Sequence, residues 1–167
     1  MRQQTQSQMF DPLKIREATQ ADAKKITALI NLAFAEVEQF FVDGDRISEA
    51  EVSTSMQTGV FLVAERDGAL EGCVYVEPQG PRAYFGLLSV NPAIKQRGTG
   101  SHLMKAAEEH GRKLGCEFMD IKIVNLRSEL PDFYRKRGYI ETGTSSFPPE
   151  VETKLPCHFI DMSKRLV

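Results

Sequence analysis

Residues 87–106, LLSVNPAIKQRGTGSHLMKA, join the end of an apolar strand to a glycine-bearing loop and then to a helix. Glycines let the backbone turn tightly and approach a ligand closely. The first N–H groups of a helix have no partner inside it, and the helix dipole adds partial positive charge there. With Lys95 and Arg97 alongside, this junction predicts an anion site suited to a pyrophosphate. An ordinary tight turn is the alternative that the loop alone leaves open.

Two other phosphate-binding loops do not fit this stretch. A P-loop requires Gly-Lys followed by Ser or Thr, and no lysine follows Gly98 or Gly100 at that spacing. The dinucleotide fingerprint G-x-G-x-x-G requires a third glycine, and Leu103 stands at that position. The loop therefore differs from both nucleotide signatures.

The sequence on both sides of the loop predicts an α+β fold around one sheet, in the order βα(α)βββαβαββ. A near capping box, Thr19-x-x-Asp22, opens the first helix, and apolar residues then recur every three or four positions up to Val37. Three strands with short turns between them predict an antiparallel meander whose third strand is central. The predicted strands cover residues 13–17, 60–65, 69–77, 82–90, 116–124, a strand that starts at 139, and 157–166.

Length and charge limit the classes of protein. The chain has 167 residues, enough for one domain of residues 12–167 with a buried core, after a polar and mobile tail of residues 1–11. The 21 Lys and Arg nearly balance the 23 Asp and Glu, for a net charge of −2, which argues against a nucleic-acid partner. No apolar run approaches the length of a membrane span, so no membrane partner is expected either.

The cysteines and the tail indicate a compartment. Cys73, Cys116 and Cys157 are odd in number and form no metal-binding pattern, which predicts buried, reduced thiols and no metal cofactor. The tail lacks the apolar stretch of a signal peptide. Together these features predict a cytoplasmic protein.

Three separate pieces of sequence resemble the GNAT superfamily of N-acetyltransferases: the loop 95–100, the strand end LSVNP at 88–92, and the segment FYRKRGY at 133–139. The opening IRxATxxD at 15–22 adds to a resemblance that covers residues 13–166. The family loop reads [Gln/Arg]-x-x-Gly-x-[Gly/Ala], and Lys95 departs from it at the first position while the backbone cradle is kept.

The resemblance implies a GNAT-like fold, α+β or mixed α/β. Its central sheet is mixed and mostly antiparallel, with about seven strands and with helices on both faces. It also implies a splay between the strands 82–90 and 116–124, with the co-substrate acetyl-CoA bound in that cleft.

The same resemblance assigns the donor site. The pantetheine arm of acetyl-CoA would pair like an extra strand with the backbone of Leu88, Ser89 and Val90. The motif loop, which includes Lys95 and Gln96, would place the pyrophosphate on the backbone amides of five residues: Arg97, Gly98, Thr99, Gly100 and Ser101. Arg137 is a candidate cation for the phosphate charges, and it could equally be the solvated end of a basic helix.

Two further residues follow from the family pattern. Tyr134 stands where many family members place a tyrosine near the acetyl-CoA sulfur, as general acid toward the departing thiolate, with a core tyrosine as the alternative. Asn125 matches the family asparagine that bonds the pantetheine after the fifth strand. That residue commonly precedes the tyrosine by seven positions, but here the gap is nine and Arg127 occupies the seventh. Asn125 is therefore the residue expected at the pantetheine, with Arg127 as the alternative. Arg127 could instead be structural or touch the acceptor.

The reaction that the resemblance implies is direct attack of a primary amine on acetyl-CoA in a ternary complex. Some family members place a carboxylate on the fourth strand as general base, but residues 82–90 contain none. Glu77, His158 or a chain of water molecules is left for that role. A CoA-binding sensor or scaffold without catalysis is the alternative function.

The amine acceptor, a small molecule or a peptide, is expected to contact residues 34–57 and 144–157. Between residues 36 and 51 the chain carries six acidic side chains against one basic one, Arg46, which could attract a cationic amine or form a solvated acidic face. The resemblance also makes a homodimer a candidate assembly.

Overall fold

The computed structural model describes residues 12–94 and 97–167. Its strands are β1 (Lys14–Glu17), β2 (Val60–Arg66), β3 (Ala69–Gln79), β4 (Arg82–Val90), β5 (Phe118–Val124), β6 (Ile140–Ser146) and β7 (His158–Arg165). Its α-helices are α1 (Ala23–Glu38), α2 (Glu49–Ser55), α3 (Thr99–Lys113) and α4 (Leu130–Arg135). The predicted tail, residues 1–11, lies outside the described residues, as do Lys95 and Gln96.

The seven strands form one mixed sheet in the spatial order β1-β2-β3-β4-β5-β7-β6. Neighbouring strands are antiparallel except β4 and β5, which run parallel. The predicted order of elements, the meander β2-β3-β4 and the mostly antiparallel sheet are confirmed.

The predicted capping box forms at the start of the first helical segment. Thr19 N–H donates to Asp22 Oδ2 at 2.8 Å, so the carboxylate satisfies a backbone donor that the helix leaves unpaired. Arg16 on β1 donates to Asp22 at 2.8 Å and to Glu65 on β2 at 3.1 Å. These bonds fix the entry of α1 relative to the sheet edge.

Apolar side chains pack on both faces of the sheet. On one face, α1 and α2 cover β2 and β3, with the buried residues Ala23, Ile26, Leu29, Ile30, Ile47, Val52, Phe61, Val63, Cys73 and Tyr75. On the other face, α3 and α4 cover a larger cluster that includes Val74, Val76, Phe85, Leu103, Ala107, Met119, Ile121 and Tyr134. Since a fully buried Leu or Ile stabilises by about 1.5–3 kcal/mol, these two clusters hold the layers together.

The parallel pair β4–β5 is joined at one end only. Its paired residues are Arg82 with Phe118, Ala83 with Met119, and Tyr84 with Asp120. Arg82 clamps that end by donating to both carboxylate oxygens of Asp120, at 2.6 and 2.7 Å. Beyond these pairs, β4 continues to Val90 and β5 to Val124 without pairing to each other, so a wedge opens between them. The splay expected from the resemblance is present.

A bulge in β4 lies beside this wedge. The β3–β4 register shifts between the pairs Tyr75–Gly86 and Cys73–Ser89, and Leu87 adopts a φ of 54°. A leucine in the left-handed region costs on the order of 1–3 kcal/mol and persists only where its surroundings impose it. The bulge lies past the last pair between β4 and β5, and Leu87 and Leu88 in it line the wedge.

Two loops meet over the same end of the sheet. Val42, after α1, forms an isolated antiparallel bridge with Thr153 in the β6–β7 loop. Lys154 N–H donates to the Phe41 carbonyl at 2.8 Å, and Lys154 Nζ lies 2.9 Å from Asp43 Oδ1. The two segments expected to select the acceptor are therefore joined to each other. Among the described helices, none is long and apolar enough to cross a membrane.

Candidate active site

The glycine-bearing loop ends in a left-handed residue at the start of α3. Gly98 is the N-cap and has a φ of 74°, a conformation that glycine adopts without the penalty of a Cβ. The His102 N–H donates to the Gly98 carbonyl at 3.0 Å, which closes the first helical turn. A Cβ added to Gly100 would meet only Val90, at 3.6 Å. The backbone at Gly100 therefore has open space beside it at the start of α3.

A buried carboxylate on the sheet, Glu71, is bonded to the start of α3. Glu71 on β3 is 3% exposed, accepts from Arg66 Nε at 2.8 Å and from Thr99 Oγ1 at 3.2 Å, and lies 3.7 Å from Arg97 Nη1. A Cβ on the neighbouring Gly72 would come within 2.8 Å of Leu103 and of the Ser89 carbonyl. The absence of a side chain at Gly72 lets α3 sit directly on the sheet.

A cavity of about 360 Å³ lies in front of this helix start and is called the first cavity. Its walls come from α1, the end of β4 and the glycine loop: Ala33, Phe34, Glu36, Val37, Leu88, Ser89, Val90, Asn91, Pro92, Ile94, Arg97, Gly98, Thr99, Gly100 and Arg127. Of the residues expected at the donor, Leu88, Ser89, Val90 and residues 97–100 therefore share one cavity.

Ser101 and Arg137 lie next to each other just beyond the walls of this cavity. Arg137 Nη2 is 3.4 Å from Ser101 Oγ, and Nη1 donates to the Phe133 carbonyl at 2.8 Å. The guanidinium also stacks 3.6 Å above the Phe133 ring. The segment after α4 thus brings a fixed cation to the first turn of α3.

A second cavity, of about 300 Å³, occupies the wedge itself. Its walls are Phe34, Glu38, Arg46, Tyr84, Phe85, Gly86, Leu87, Leu88, Val90, Gly100, Ile121, Lys122, Ile123, Val124, Arg127, Leu130, Phe133, Tyr134, Phe147 and Phe159. It shares Phe34, Leu88, Val90, Gly100 and Arg127 with the first cavity, so the two adjoin at the splayed end of β4.

Tyr134 lies on the wall of the second cavity. The residue is 7% exposed and packs edge-on against Phe133 and Tyr139, with ring centres 5.1 and 5.7 Å away. Burial raises the pKa of Tyr134 to about 12, against the opposing effect of Arg127 and Arg137. Its phenol is therefore protonated at neutral pH and can act as a hydrogen-bond donor.

The structure places the Asn125 side chain against the backbone of β7. Its Oδ1 accepts from the His158 N–H at 2.8 Å, and its own N–H donates to the His158 carbonyl at 2.9 Å. The side chain thus extends the β5–β7 pairing and is not on the wall of either cavity. Arg127, two residues later, lines both cavities and is largely buried.

Neither residue predicted as the base, Glu77 or His158, lies on the wall of the first or second cavity. His158 is exposed at the start of β7 and lines neither cavity, and Glu77 lines a separate cavity with Arg82 and Asp120. Glu38, at the end of α1, is the carboxylate on the wall of the second cavity. Burial raises the pKa of Glu38 above its ordinary value, although Arg46 and Arg127 oppose the shift.

Comparison with known proteins identifies the family. A family model described as an acetyltransferase (GNAT) domain matches residues 57–141, just over half of the chain. The chain belongs to the GNAT family. The curated S-alkylcysteine N-acetyltransferase of Bacillus subtilis (strain 168) is 27% identical over 139 residues, 74% of this chain and 76% of that protein. This GNAT protein is accordingly an N-acetyltransferase.

Solved GNAT structures share the fold. The ribosomal-protein-S18-alanine N-acetyltransferase from Escherichia coli superimposes with a TM-score of 0.72 at 12% identity, over 93% of this chain and 94% of that chain. An acetyltransferase from Salmonella typhimurium with its cofactor acetyl-CoA gives a TM-score of 0.71 at 18% identity, over the same shares of 93% and 94%. At these identities the comparison supports the architecture alone.

The sequence did not point to Glu71 or Glu38 as site residues. Glu71 stands in a strand pattern where a carboxylate is expected to face solvent, and Glu38 was one of six acids in a segment read as a whole. The acidic excess was the available signal for Glu38. Among the described residues, no group of three or more His, Cys, Asp or Glu is placed to hold a metal ion.

Proposed function

We propose that this protein transfers the acetyl group of acetyl-CoA to the primary amine of a small molecule, by direct attack in a ternary complex. The observation that carries the proposal is that the first and second cavities adjoin at the splayed end of β4, with Tyr134 on the wall of the second. A donor lying in the first cavity would present its thioester where the second begins. Holding both reactants there converts a bimolecular step into an effectively unimolecular one.

The first cavity is suited to the CoA chain. The amides of residues 97–101 and the dipole of α3 would hold the pyrophosphate, with Arg137 close by through Ser101. The end of β4 has lost its pairing with β5, so Leu88, Ser89 and Val90 can offer backbone groups to the pantetheine amides. Arg127 replaces Asn125 as the side chain proposed to contact the pantetheine.

Tyr134 is proposed as the general acid. The CoA thiolate that leaves the tetrahedral intermediate needs a proton or a strong hydrogen bond. A thiol has a pKa of about 8.5, whereas burial raises the pKa of Tyr134 to about 12. The phenol therefore stays protonated and can donate a strong hydrogen bond to the thiolate as the thiolate forms.

Glu38 is proposed as the group that accepts the amine proton. An ammonium ion has no lone pair, so the acceptor must lose a proton before it attacks. The raised pKa of Glu38 makes its carboxylate a stronger base than an exposed glutamate. Arg127, whose Nη1 donates to Glu38 Oε2 at 3.4 Å, holds that carboxylate in place.

No covalent acetyl-enzyme is proposed. Cys73 and Cys116 are buried in the core, and burial raises the pKa of the Cys73 thiol to about 12. A thiol with that pKa is not a nucleophile at neutral pH. Cys157 is not on the wall of either cavity.

A small-molecule acceptor is favoured by two observations. The second cavity has a volume of about 300 Å³, which suits a compact acceptor better than a polypeptide. The Bacillus subtilis relative is named for acetylation of S-alkylcysteine, a small molecule.

The test combines calorimetry with a mass-shift screen of amines. Acetyl-CoA should bind and raise the melting temperature by mass action, and at least one small amine should gain an acetyl group. No heat of binding at millimolar acetyl-CoA would refute the donor. Binding without acetylation of any amine would favour the non-catalytic sensor instead.

A further inference from the structure

Arg46, the single base of the acidic segment 36–51, lies on the wall of the second cavity. It is exposed in the connection between α1 and α2, and its guanidinium carbon is 5.6 Å from the centre of the Phe34 ring. Within the described part of the chain, Arg46 forms no hydrogen bond or ion pair. Its five N–H donors can therefore serve a molecule that enters the cavity.

Among the cations on the wall of the second cavity, Arg46 is the one without an ion-pair partner in the described part of the chain. Three cations and one anion line it: Arg46, Lys122, Arg127 and Glu38. Lys122 Nζ is bonded to Asp161 Oδ1 at 3.1 Å, and Arg127 Nε to Glu129 Oε1 at 2.6 Å, in addition to its bond to Glu38. A cavity with a remaining positive charge favours a ligand that carries an anion.

Apart from these charged groups and the tyrosines Tyr84 and Tyr134, the side chains on the cavity wall are apolar. Phe147, just after β6, and Phe159 from β7 pack with their rings tilted by 40° and their centres 5.1 Å apart. Leu130 and Phe133 of α4 line the same cavity. A volume of about 300 Å³ with such walls accommodates a compact side chain without charge.

We propose that the acceptor is a free amino acid with an apolar side chain. Arg46 binds its α-carboxylate, the α-amino group faces Glu38, and the aromatic pair Phe147–Phe159 contacts the side chain. This inference rests on the proposed acetyl transfer and narrows its acceptor. A peptide N-terminus and a lysine side chain of a protein both lack the α-carboxylate beside the amine, so both would bind poorly.

The test uses three sets of matched compounds with the full-length protein and acetyl-CoA. Each set contains a free amino acid, its carboxamide and its decarboxylated amine, for S-methylcysteine, methionine and phenylalanine. In the carboxamide the amine resembles a peptide N-terminus, whose pKa is about 7.7–8.0, so more of it is neutral and it is intrinsically readier to attack. A preference for the free acid then reports recognition of the carboxylate.

We expect kcat/KM for the free acid to exceed that of its carboxamide by about tenfold or more, as for a charge-assisted hydrogen bond. Arg46→Leu should abolish that preference by raising KM for the acid more than KM for the carboxamide, and should leave acetyl-CoA binding unchanged. Arg165→Leu, an exposed arginine at the end of β7, is the matched control and should keep the preference.

Each other outcome has a defined meaning. Equal or better use of the carboxamides or decarboxylated amines overturns the inference and leaves the acetyl transfer standing. Retention of the preference in Arg46→Leu overturns the assignment of Arg46. If no compound of any set is acetylated although acetyl-CoA binds, the inference is wrong, and acetylation of a different amine in the wider screen shows whether the proposed function survives.

Discussion

Arg127 Nη1 lies 3.4 Å from Glu38 Oε2, across 89 positions of sequence. This bond joins the end of α1 to the connection between β5 and α4, on the wall of the second cavity. It places a cation beside a buried carboxylate without neutralising the effect of burial, which still raises the pKa of Glu38. A carboxylate held in this way can accept a proton and remain in position.

Replacement of Glu38 by Gln should lower kcat by about 10²–10⁴-fold, the usual contribution of general base catalysis. Acetyl-CoA affinity should be unchanged, because Glu38 is absent from the walls of the first cavity. Steady-state kinetics and calorimetry measure the two quantities. Glu117→Gln, an exposed residue just before β5, is the control. Equal rates for Glu38→Gln and the control would remove Glu38 from the reaction.

The pH profile of kcat should show an acidic limb set by Glu38. Its folded pKa is raised, so the carboxylate is lost as the pH falls through a value above the ordinary 4.5 of glutamic acid. The charged groups that act on it are Arg46 and Arg127, which oppose the rise, and Glu129, which adds to it. In Glu38→Gln the limb should disappear. An identical limb in that variant would assign it to another group.

Tyr134→Phe should reduce kcat by about 10²–10³-fold through loss of the proton donor, with little change in acetyl-CoA affinity. The matched control is Tyr139→Phe. It removes a buried hydroxyl that donates to Glu108 Oε2 at 3.4 Å and lies on the wall of neither cavity. That variant should lose stability and keep its turnover per folded molecule. Unchanged turnover in Tyr134→Phe would leave Tyr134 as a core residue.

Glu71→Gln should weaken acetyl-CoA binding, because Glu71 fixes Thr99 and Arg97 at the start of α3. Loss of one charged hydrogen-bond partner in a buried site also costs on the order of 1–3 kcal/mol of stability. Glu108→Gln serves as the control. It changes another buried carboxylate, which lies further along α3 and accepts a hydrogen bond from Lys164 of β7. Both variants should unfold more easily, but only Glu71→Gln should bind acetyl-CoA less tightly. Equal affinities would restrict Glu71 to folding.

Asp22→Asn should destabilise the protein by about 1–2 kcal/mol at neutral pH, through loss of the capping box and of the Arg16 bond. The hydrogen bond from Arg16 lowers the pKa of Asp22 from 3.8 to about 2. A lowered pKa means that this contribution is present above 3.8 and is lost as the pH falls toward 2. Urea unfolding at several pH values should show the gap between wild type and variant closing in that range. A gap of the same size throughout would contradict the ionic origin, and Asp45→Asn should show no gap.

The features that the sequence predicted are local ones. A glycine before a helix, as at Gly98, and a capping box, as at Thr19 and Asp22, depend on residues within a few positions of each other. The order of the strands along the chain followed from their spacing and from the turns between them. The wedge between β4 and β5 was expected only because the chain resembles a known family.

The features that the sequence did not predict are long-range. Glu71 is buried because it meets Thr99, 28 positions later. Glu38 becomes a site residue because Arg127 and the wedge lie against the end of α1. Asn125 bonds the backbone of His158, 33 positions later, whereas Arg127 lines both cavities, and neither placement follows from neighbouring residues.

The three-pair junction between β4 and β5 has a consequence for amide exchange. Past Tyr84 and Asp120, the main-chain groups that face the gap lack a partner strand, so solvent or a ligand must complete their hydrogen bonding. Deuterium should therefore enter this seam quickly in the free protein, although it runs through the middle of the sheet. A strand-like ligand bound there would slow that uptake. The local stability at the centre of the sheet therefore depends on whether the ligand is bound.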